Sequence, residues 1–321
     1  MTGGAAAPDV DVLVSEVGPR DGLQMLERAM PTPLKHRWIA ALAGAGLREI
    51  EVGSCVPPRL LPQLADADEV IREAAKLPGL TVLALVPNVK GAERAIAAGA
   101  HRLTVPVSAS RLHAEANLRR TPEESVEEVR RVCRLRAGLP AGSRPGVEVG
   151  LSTAFGCSME GRVEEGWVIR LAAMCAEAGA DAVGLADTAG HANPAQVRRL
   201  FGALRRELGG KAGGAHFHDT RGQGLANVVA ALDAGVTTFD ASQGGLGGCP
   251  SAPGASGNLV TEDLVFLLEA MGLRTGVDLD RLLAARAFLR EAFPGEPLHG
   301  RVAEAGLPEG FVPATRPGPR A

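Results

Sequence analysis

Tyrosine is absent from this 321-residue chain, and aromatic residues make up only 3% of it, with two Trp and eight Phe. Base-stacking platforms of the kind that hold single-stranded nucleic acid are hard to build from so few rings. The charge balance points the same way. Against 37 Asp and Glu stand 34 Lys and Arg, for a formal net charge of −3, and no basic cluster with interleaved aromatics occurs. A nucleic-acid partner is therefore not expected. No apolar run approaches the roughly 18 residues of a membrane span, and the opening MTGGAAAPDVDV has no basic stretch before its small apolar residues. The expected location is cytoplasmic, with no membrane partner. Five cysteines, Cys55, Cys133, Cys157, Cys175 and Cys249, form no CxxC pair. An odd, scattered set argues against a disulfide framework and a zinc knuckle and leaves reduced, mostly buried thiols.

What is present is a globular composition, 45% hydrophobic and 22% charged, enough for a large core. One local pattern recurs four times, a helical stretch ending in Ala-Gly and an apolar residue, then a short strand: AGAGLREIEVG, IAAGAHRLTVPV, AEAGADAVGLAD and ALDAGVTTFDAS. Glycine supplies the turn each time, at Gly46, Gly99, Gly179 and Gly235. Each gap between these glycines suits two β/α units, the middle one with extra loop. Filling the gaps predicts strands near residues 10–17, 48–53, 80–87, 101–107, 146–153, 182–186, 213–218 and 237–242. Continuous apolar strands such as LTVLALVP, alternating with helices, predict a parallel sheet, and eight units favour closure. The fold class is then α/β, a single (β/α)8 TIM barrel over 10–275. A doubly wound open sheet is the competing architecture. A helix near 278–293 belongs to a C-terminal helical extension over 276–313, and residues 1–9 and 314–321 are expected to be unstructured.

Catalytic groups of such a barrel lie at the C-terminal ends of its strands. The first strand runs into Arg20 and Asp21, the second holds Glu51, the sixth ends at Asp187 and the seventh carries His216 and His218. The two histidines, two apart on a strand, point to one face with Phe217 on the other. They can chelate one cation, and Asp21 is the natural carboxylate partner because only the eighth strand separates the first from the seventh. Two nitrogens with oxygen donors suit Mg²⁺ or Mn²⁺, with zinc chemically allowed. Without the histidines, Asp21 in PRDG would read as a turn residue. Arg20 beside a metal reads as a partner for a carbonyl or enolate oxygen.

Glu49 shares a strand face with Glu51 and is assigned to the solvated entrance, which leaves Glu51 nearer the active end. Asp187 reads equally as a catalytic acid or as a cap on the next helical region. After the eighth strand, GGLGGCPSAPGASGN at 244–258 is too rich in glycine and proline for a regular element. It carries no phosphate-loop signature. It is expected to be a mobile lid that presents Cys249 as a proton donor or acceptor. Asn258 heads NLVTEDLVFLLEAMG and reads as the N-cap of that helix, with a metal-directed amide oxygen as the alternative.

Taken together, EVGPRDGLQ (Glu16 to Gln24), HFHDT (His216 to Thr220) and GGLGGCPSAPGASGNLVTEDLV (Gly244 to Val265) resemble the hydroxymethylglutaryl-CoA lyases over roughly residues 10–290. The resemblance implies a (β/α)8 fold, one Mg²⁺ or Mn²⁺ held by Asp21, His216, His218 and Asn258, and catalysis by Arg20, Glu51, Asp187 and Cys249. It also implies substrate contacts from Arg20, Gln24 and Asn117, an acyl-CoA substrate and a homo-oligomer. The implied reaction is a retro-Claisen cleavage to acetoacetate and acetyl-CoA. Several positions depart from the family's pattern. Met25 and Leu26 replace an Asn-Glu pair, Arg111 and His113 stand where a Glu and a Phe are usual, Arg221 follows HDT in place of Tyr, and His191 is unfamiliar in DTAGHANP. These surround the expected acyl pocket and CoA approach, so lyases acting on citramalyl-CoA or a branched 3-hydroxyglutaryl-CoA remain alternatives. A condensing synthase of the isopropylmalate type is disfavoured by the cysteine loop.

Overall fold

The computed structural model describes residues 10–247 and 257–314. Eight parallel strands form a closed barrel, β1 (Leu13–Glu16), β2 (Glu49–Ser54), β3 (Thr81–Leu85), β4 (Arg102–Ser108), β5 (Gly146–Ser152), β6 (Ala182–Asp187), β7 (Ala212–Phe217) and β8 (Thr238–Ala241). Pairing of β1 with β8, Ser15 opposite Asp240 and Glu16 opposite Ala241, closes the ring and removes the open-sheet alternative. Around it lie α1 (Thr32–Gly44), α2 (Ala67–Ala74), α3 (Val89–Ala98), α4 (Arg111–Leu118), α5 (Pro122–Ala137), α6 (Glu165–Glu177), α7 (Pro194–Leu208), α8 (Gly224–Asp233) and α9 (Thr261–Ala270). The C-terminal extension is α10 (Leu279–Ala292), packed on α1 and α9, and a short α11 (Arg301–Ala305). Among the described residues no helix is long and apolar enough to cross a membrane. Of the segments expected to be unstructured, 1–9 and 314–321, only Ala314 falls among the described residues, in a turn.

The turn glycines behave as their position requires. Gly46, Gly99, Gly179 and Gly235 all have positive φ, which an L side chain resists, and a Cβ on Gly46 would collide with the Gly276 carbonyl. The extra length between Gly99 and Gly179 is not only loop. It holds the added helix α4, with Ser110 accepting from the His113 N–H at its start, followed by α5 behind the Thr121–Glu124 capping box.

Alternation along the strands sorts the side chains. Residues facing the helices, such as Ile50, Val82, Leu103, Val149 and Phe239, are almost fully buried and form one apolar layer. At β7, Phe217 packs against Phe155 and Phe201, with ring centroids 5.9 and 6.3 Å away, so the strand behind the two histidines is firmly seated. The inner face carries charged and polar groups beside the aliphatic Leu83 and Leu85. Arg102 donates to Glu49 (2.8 Å) and Glu148 (3.3 Å), and Thr104 donates to Glu148. Glu49 is 3% exposed. It is the buried member of this partly exposed ion cluster and does not stand free at a solvated entrance as its sequence position suggested.

Candidate active site

Just past β1 the chain tightens into a π-helical turn, Gly18–Gly22, that carries Arg20 and Asp21 over the barrel mouth. Opposite it, His216 ends the inward row of β7 and His218 follows the strand. One ligand atom each from Asp21, His216 and His218 lies within 4.8 Å of the others. The two imidazole Nε2 atoms face each other at 3.1 Å, too close for two lone pairs to share comfortably unless a proton or a cation lies between them. His216 donates through Nδ1 to Asp240 at 3.0 Å; this fixes its tautomer and turns the Nε2 lone pair to the mouth. Burial pulls His216 down, but the hydrogen bond and charge of Asp240 and the charge of Asp21 outweigh it, so its pKa lies above the ordinary value. Burial and the neighbouring His216 push His218 down to about 4, which keeps it neutral.

Asp21 is over-determined. Its Oδ1 accepts from Arg20 Nη1 (2.6 Å) and Gln24 Nε2 (2.7 Å), and its Oδ2 accepts from Asn258 Nδ2 (2.7 Å). Burial alone would raise its pKa, yet Arg20 and the two imidazoles hold it at about 2. Asn258 is not the N-cap expected from the sequence. Helix α9 starts at Thr261 with Val260 in the cap position, and Asn258 instead forms an antiparallel bridge to His218. Its Nδ2 also donates to the Leu246 carbonyl (3.0 Å), while its Oδ1 is buried with no hydrogen-bond partner. An orphaned amide oxygen beside a carboxylate and two facing imidazoles fits a hard divalent cation, which would supply the partner that the amide oxygen lacks.

These groups open onto a cavity of about 860 Å³ whose wall includes Arg20, Asp21, Gln24, Glu51, His216 and His218. Arg20 donates from Nε to Glu51 Oε2, which leaves Glu51 Oε1 buried and unpartnered. Burial raises the pKa of Glu51 despite the Arg20 charge. Asn117 joins the wall from the exposed end of α4. Gln24 reaches the wall too, but its amide is engaged with Asp21, so it orients that carboxylate.

One expected residue is not brought to this site. Asp187 shares its strand face with Val183 and Leu185, which point into the helix layer, while Ala186 and Thr188 line the cavity. Its carboxylate accepts the backbone N–H groups of His191 (2.8 Å) and Ala192 (3.0 Å). It therefore pins the loop before α7, whose own cap is Asn193. Cys249 lies outside the described residues. The flanking segment opens with a tight turn, Gln243–Gly245, whose central Gly244 has φ 67° and ψ 10°, outside the right-handed helical region. Gly247 follows with φ 105°, and a Cβ there would sit 2.5 Å from Asn258 Nδ2, so glycine lets the backbone close against the Asn258 amide.

Asp240 and Glu16 escaped the sequence reading. Asp240 stands opposite His216 in the β7–β8 register. Glu16 faces away from the cavity, is fully buried, and accepts from Gly18 N (2.8 Å), Gln243 N (2.9 Å) and Thr261 Oγ1 (2.7 Å). Burial raises it to about 8 against these three donors. It ties together the turn bearing Asp21, the loop after β8 and the helix that follows Asn258.

The pattern of the HMGL-like family matches residues 11–289, which makes the chain a member of that family. It is 42% identical over 292 residues to the Bacillus subtilis hydroxymethylglutaryl-CoA lyase YngG, covering 90% of this chain and 95% of that one. The human mitochondrial hydroxymethylglutaryl-CoA lyase is 41% identical over 283 residues, 88% of this chain and 85% of its own. Among solved structures, an HMG-CoA lyase of Acinetobacter baumannii in complex with coenzyme A and 3-methylmalate superposes with a TM-score of 0.87 at 38% identity, covering 94% of this chain and 97% of that one.

Proposed function

We propose that this HMGL-like family member is a hydroxymethylglutaryl-CoA lyase, a carbon–carbon lyase that splits 3-hydroxy-3-methylglutaryl-CoA into acetoacetate and acetyl-CoA. The observation that carries the reading is the convergence of Asp21, His216 and His218 at the mouth of one large cavity, next to the Arg20–Glu51 pair. The high identity to lyases of that name supports the same substrate. Asp21, His216, His218 and the orphaned Asn258 Oδ1 would hold one divalent cation, and the mixed nitrogen and oxygen set favours Mg²⁺ or Mn²⁺. When bound, such a cation supplies Lewis acidity to substrate oxygens and lowers the pKa of a hydroxyl.

The protein groups divide the remaining work. Glu51 Oε1, unpartnered and raised in pKa by burial, takes the proton of the substrate's tertiary hydroxyl. Collapse of the alkoxide forms the ketone of acetoacetate and breaks the adjacent carbon–carbon bond, and the electron pair passes to the thioester as an enolate. Arg20 offers its remaining guanidinium N–H groups to that oxyanion. Cys249 is the group assigned to return a proton to carbon, giving acetyl-CoA. Asp187 then acts at a distance, by fixing the loop before α7, and does not touch substrate. Asn117 is placed to contact the incoming acyl-CoA at the rim.

Incubation with hydroxymethylglutaryl-CoA, citramalyl-CoA and a branched 3-hydroxyglutaryl-CoA, each with Mg²⁺ or Mn²⁺, tests the substrate. The first should be cleaved to equal amounts of acetoacetate and acetyl-CoA. A preference for another acyl group would replace the substrate and keep the chemistry, a reading that one observation favours: His113, where the family has Phe, lines the cavity. Condensation of acetyl-CoA with 2-oxoacids and no cleavage of any acyl-CoA would overturn the lyase assignment.

A further inference from the structure

Strand β2 breaks its inside–outside alternation. Glu49 and Glu51 point into the barrel, so an unbroken strand would turn Gly53 inward next and send Ser54 out to the helices. The register against β3 shifts between Glu51 and Gly53. Gly53 consequently faces α2, where a Cβ would come 3.1 Å from that of Ala67, and Ser54 joins Glu51 on the cavity wall. Bulges beside active sites commonly re-aim a side chain in this way.

The re-aimed hydroxyl has nothing to bind in the protein. Ser54 is 2% exposed and its Oγ has no hydrogen-bond partner. Glu51 Oε1, one inward position deeper, is in the same condition. Buried polar atoms are nearly always satisfied, so two orphans on one cavity wall mark where a ligand supplies the missing partners. They are complementary, because the carboxylate oxygen can only accept and the hydroxyl can donate. Arg20, held through Nε to Glu51 and through Nη1 to Asp21, lies on the same side and contributes positive charge.

We propose that Ser54 is a further catalytic residue, whose O–H donates to the thioester oxygen of the substrate as that oxygen gains charge, sharing the developing oxyanion with Arg20. The proposal rests on the lyase reading above. It adds a preorganised donor at the atom whose charge changes most during cleavage. No proton is transferred by Ser54; the hydroxyl hydrogen stays on its oxygen throughout.

The test compares wild type with Ser54→Ala and Ser54→Thr in metal-loaded protein. Cleavage of hydroxymethylglutaryl-CoA is followed together with solvent-deuterium exchange into the methyl group of acetyl-CoA, which passes through the same enolate. Ser54→Ala should lower kcat and the exchange rate in parallel, by roughly 10- to 100-fold, the scale of one lost oxyanion donor moderated by the retained Arg20. KM should stay close to wild type, and Ser54→Thr should recover most of both rates. Ser54→Cys, close in size and a poor donor, gives the same reading if the alanine variant proves unstable. Unchanged kcat and exchange in Ser54→Ala, or a loss confined to KM, would overturn the proposal and assign the hydroxyl to a bound water or a ground-state contact. Wild type that neither cleaves nor exchanges would overturn the lyase reading itself and the proposal with it.

Discussion

Replacing Asp240 with Asn removes the charge behind His216 and leaves the shape of the side chain almost unchanged. In the wild type, Asp240 Oδ2 lies 3.0 Å from His216 Nδ1, which holds that nitrogen protonated and leaves Nε2 free to act as a ligand. The asparagine can accept the same hydrogen bond, but without charge, or present its NH₂ and favour the wrong tautomer. Loss of such a partner behind a metal-bound histidine typically weakens metal affinity about 10- to 100-fold, or about 1.4 to 2.8 kcal/mol at 1.4 kcal/mol per tenfold. The Asp240 side chain is 33% exposed, so solvent screens part of its charge and the lower half of that range is expected. Calorimetric titration of Mn²⁺ into metal-stripped protein measures the effect directly, with thermal melting as the check on folding. A folded Asp240→Asn protein that binds Mn²⁺ as tightly as wild type would refute the argument that Asp240 sets the ligand tautomer.

Other consequences can be checked with ordinary stability and labelling experiments. Glu16→Ala leaves three donors, Gly18 N, Gln243 N and Thr261 Oγ1, without their shared acceptor; at about 1–3 kcal/mol for each unsatisfied buried group, chemical denaturation should show a loss of at least about 3 kcal/mol, and a loss below 1 kcal/mol would contradict the clamp. Asp21 titrates at about 2 in the folded protein against an ordinary value of 3.8, so its contribution is full above the ordinary value and is lost as pH falls through the folded one. The stability gap between metal-stripped wild type and Asp21→Asn should therefore close over that acid window, and a gap independent of pH would count against the ion cluster. Cys55, Cys133, Cys157 and Cys175 are buried, and burial drives Cys55 and Cys175 up to about 12. Brief alkylation of native protein near neutral pH should spare all four; early labelling of any of them would contradict their placement.

Four of the strands, β2, β4, β6 and β8, were legible because each is a short apolar run that follows an Ala-Gly turn, and the positive φ at Gly46 and its counterparts is the physical reason that signal repeats. The histidine pair was legible for a similarly simple reason: His216 and His218 differ by two, and parity alone puts them on one face. Parity also explains the errors. Asp187 was judged by its place at a strand end, yet it shares its face with Leu185, which the core demands. Asp240 falls on the inward face opposite His216, a fact available only once the register of two neighbouring strands is known. Ser54 has the wrong parity until the bulge at Gly53 is seen, and a glycine inside a strand hints at a bulge without fixing which side chain it re-aims. Glu49 looked like an entrance residue because its partners, Arg102 and Glu148, are remote in sequence. Asn258 had every feature of a helix cap, and only the tertiary contact with Asp21 and His218 moved it elsewhere.

The central claim is that one divalent cation on Asp21, His216 and His218 supports carbon–carbon cleavage of an acyl-CoA. Metal-stripped protein titrated with Mn²⁺ in the presence of hydroxymethylglutaryl-CoA tests it most directly, with acetoacetate and acetyl-CoA as the readout and Asp21→Ala as the comparison. The account predicts no turnover without metal, activity that rises until one ion per chain is bound and then levels off, and no recovery in Asp21→Ala at the same metal concentration. Full turnover by the stripped protein, or wild-type turnover by Asp21→Ala, would contradict it.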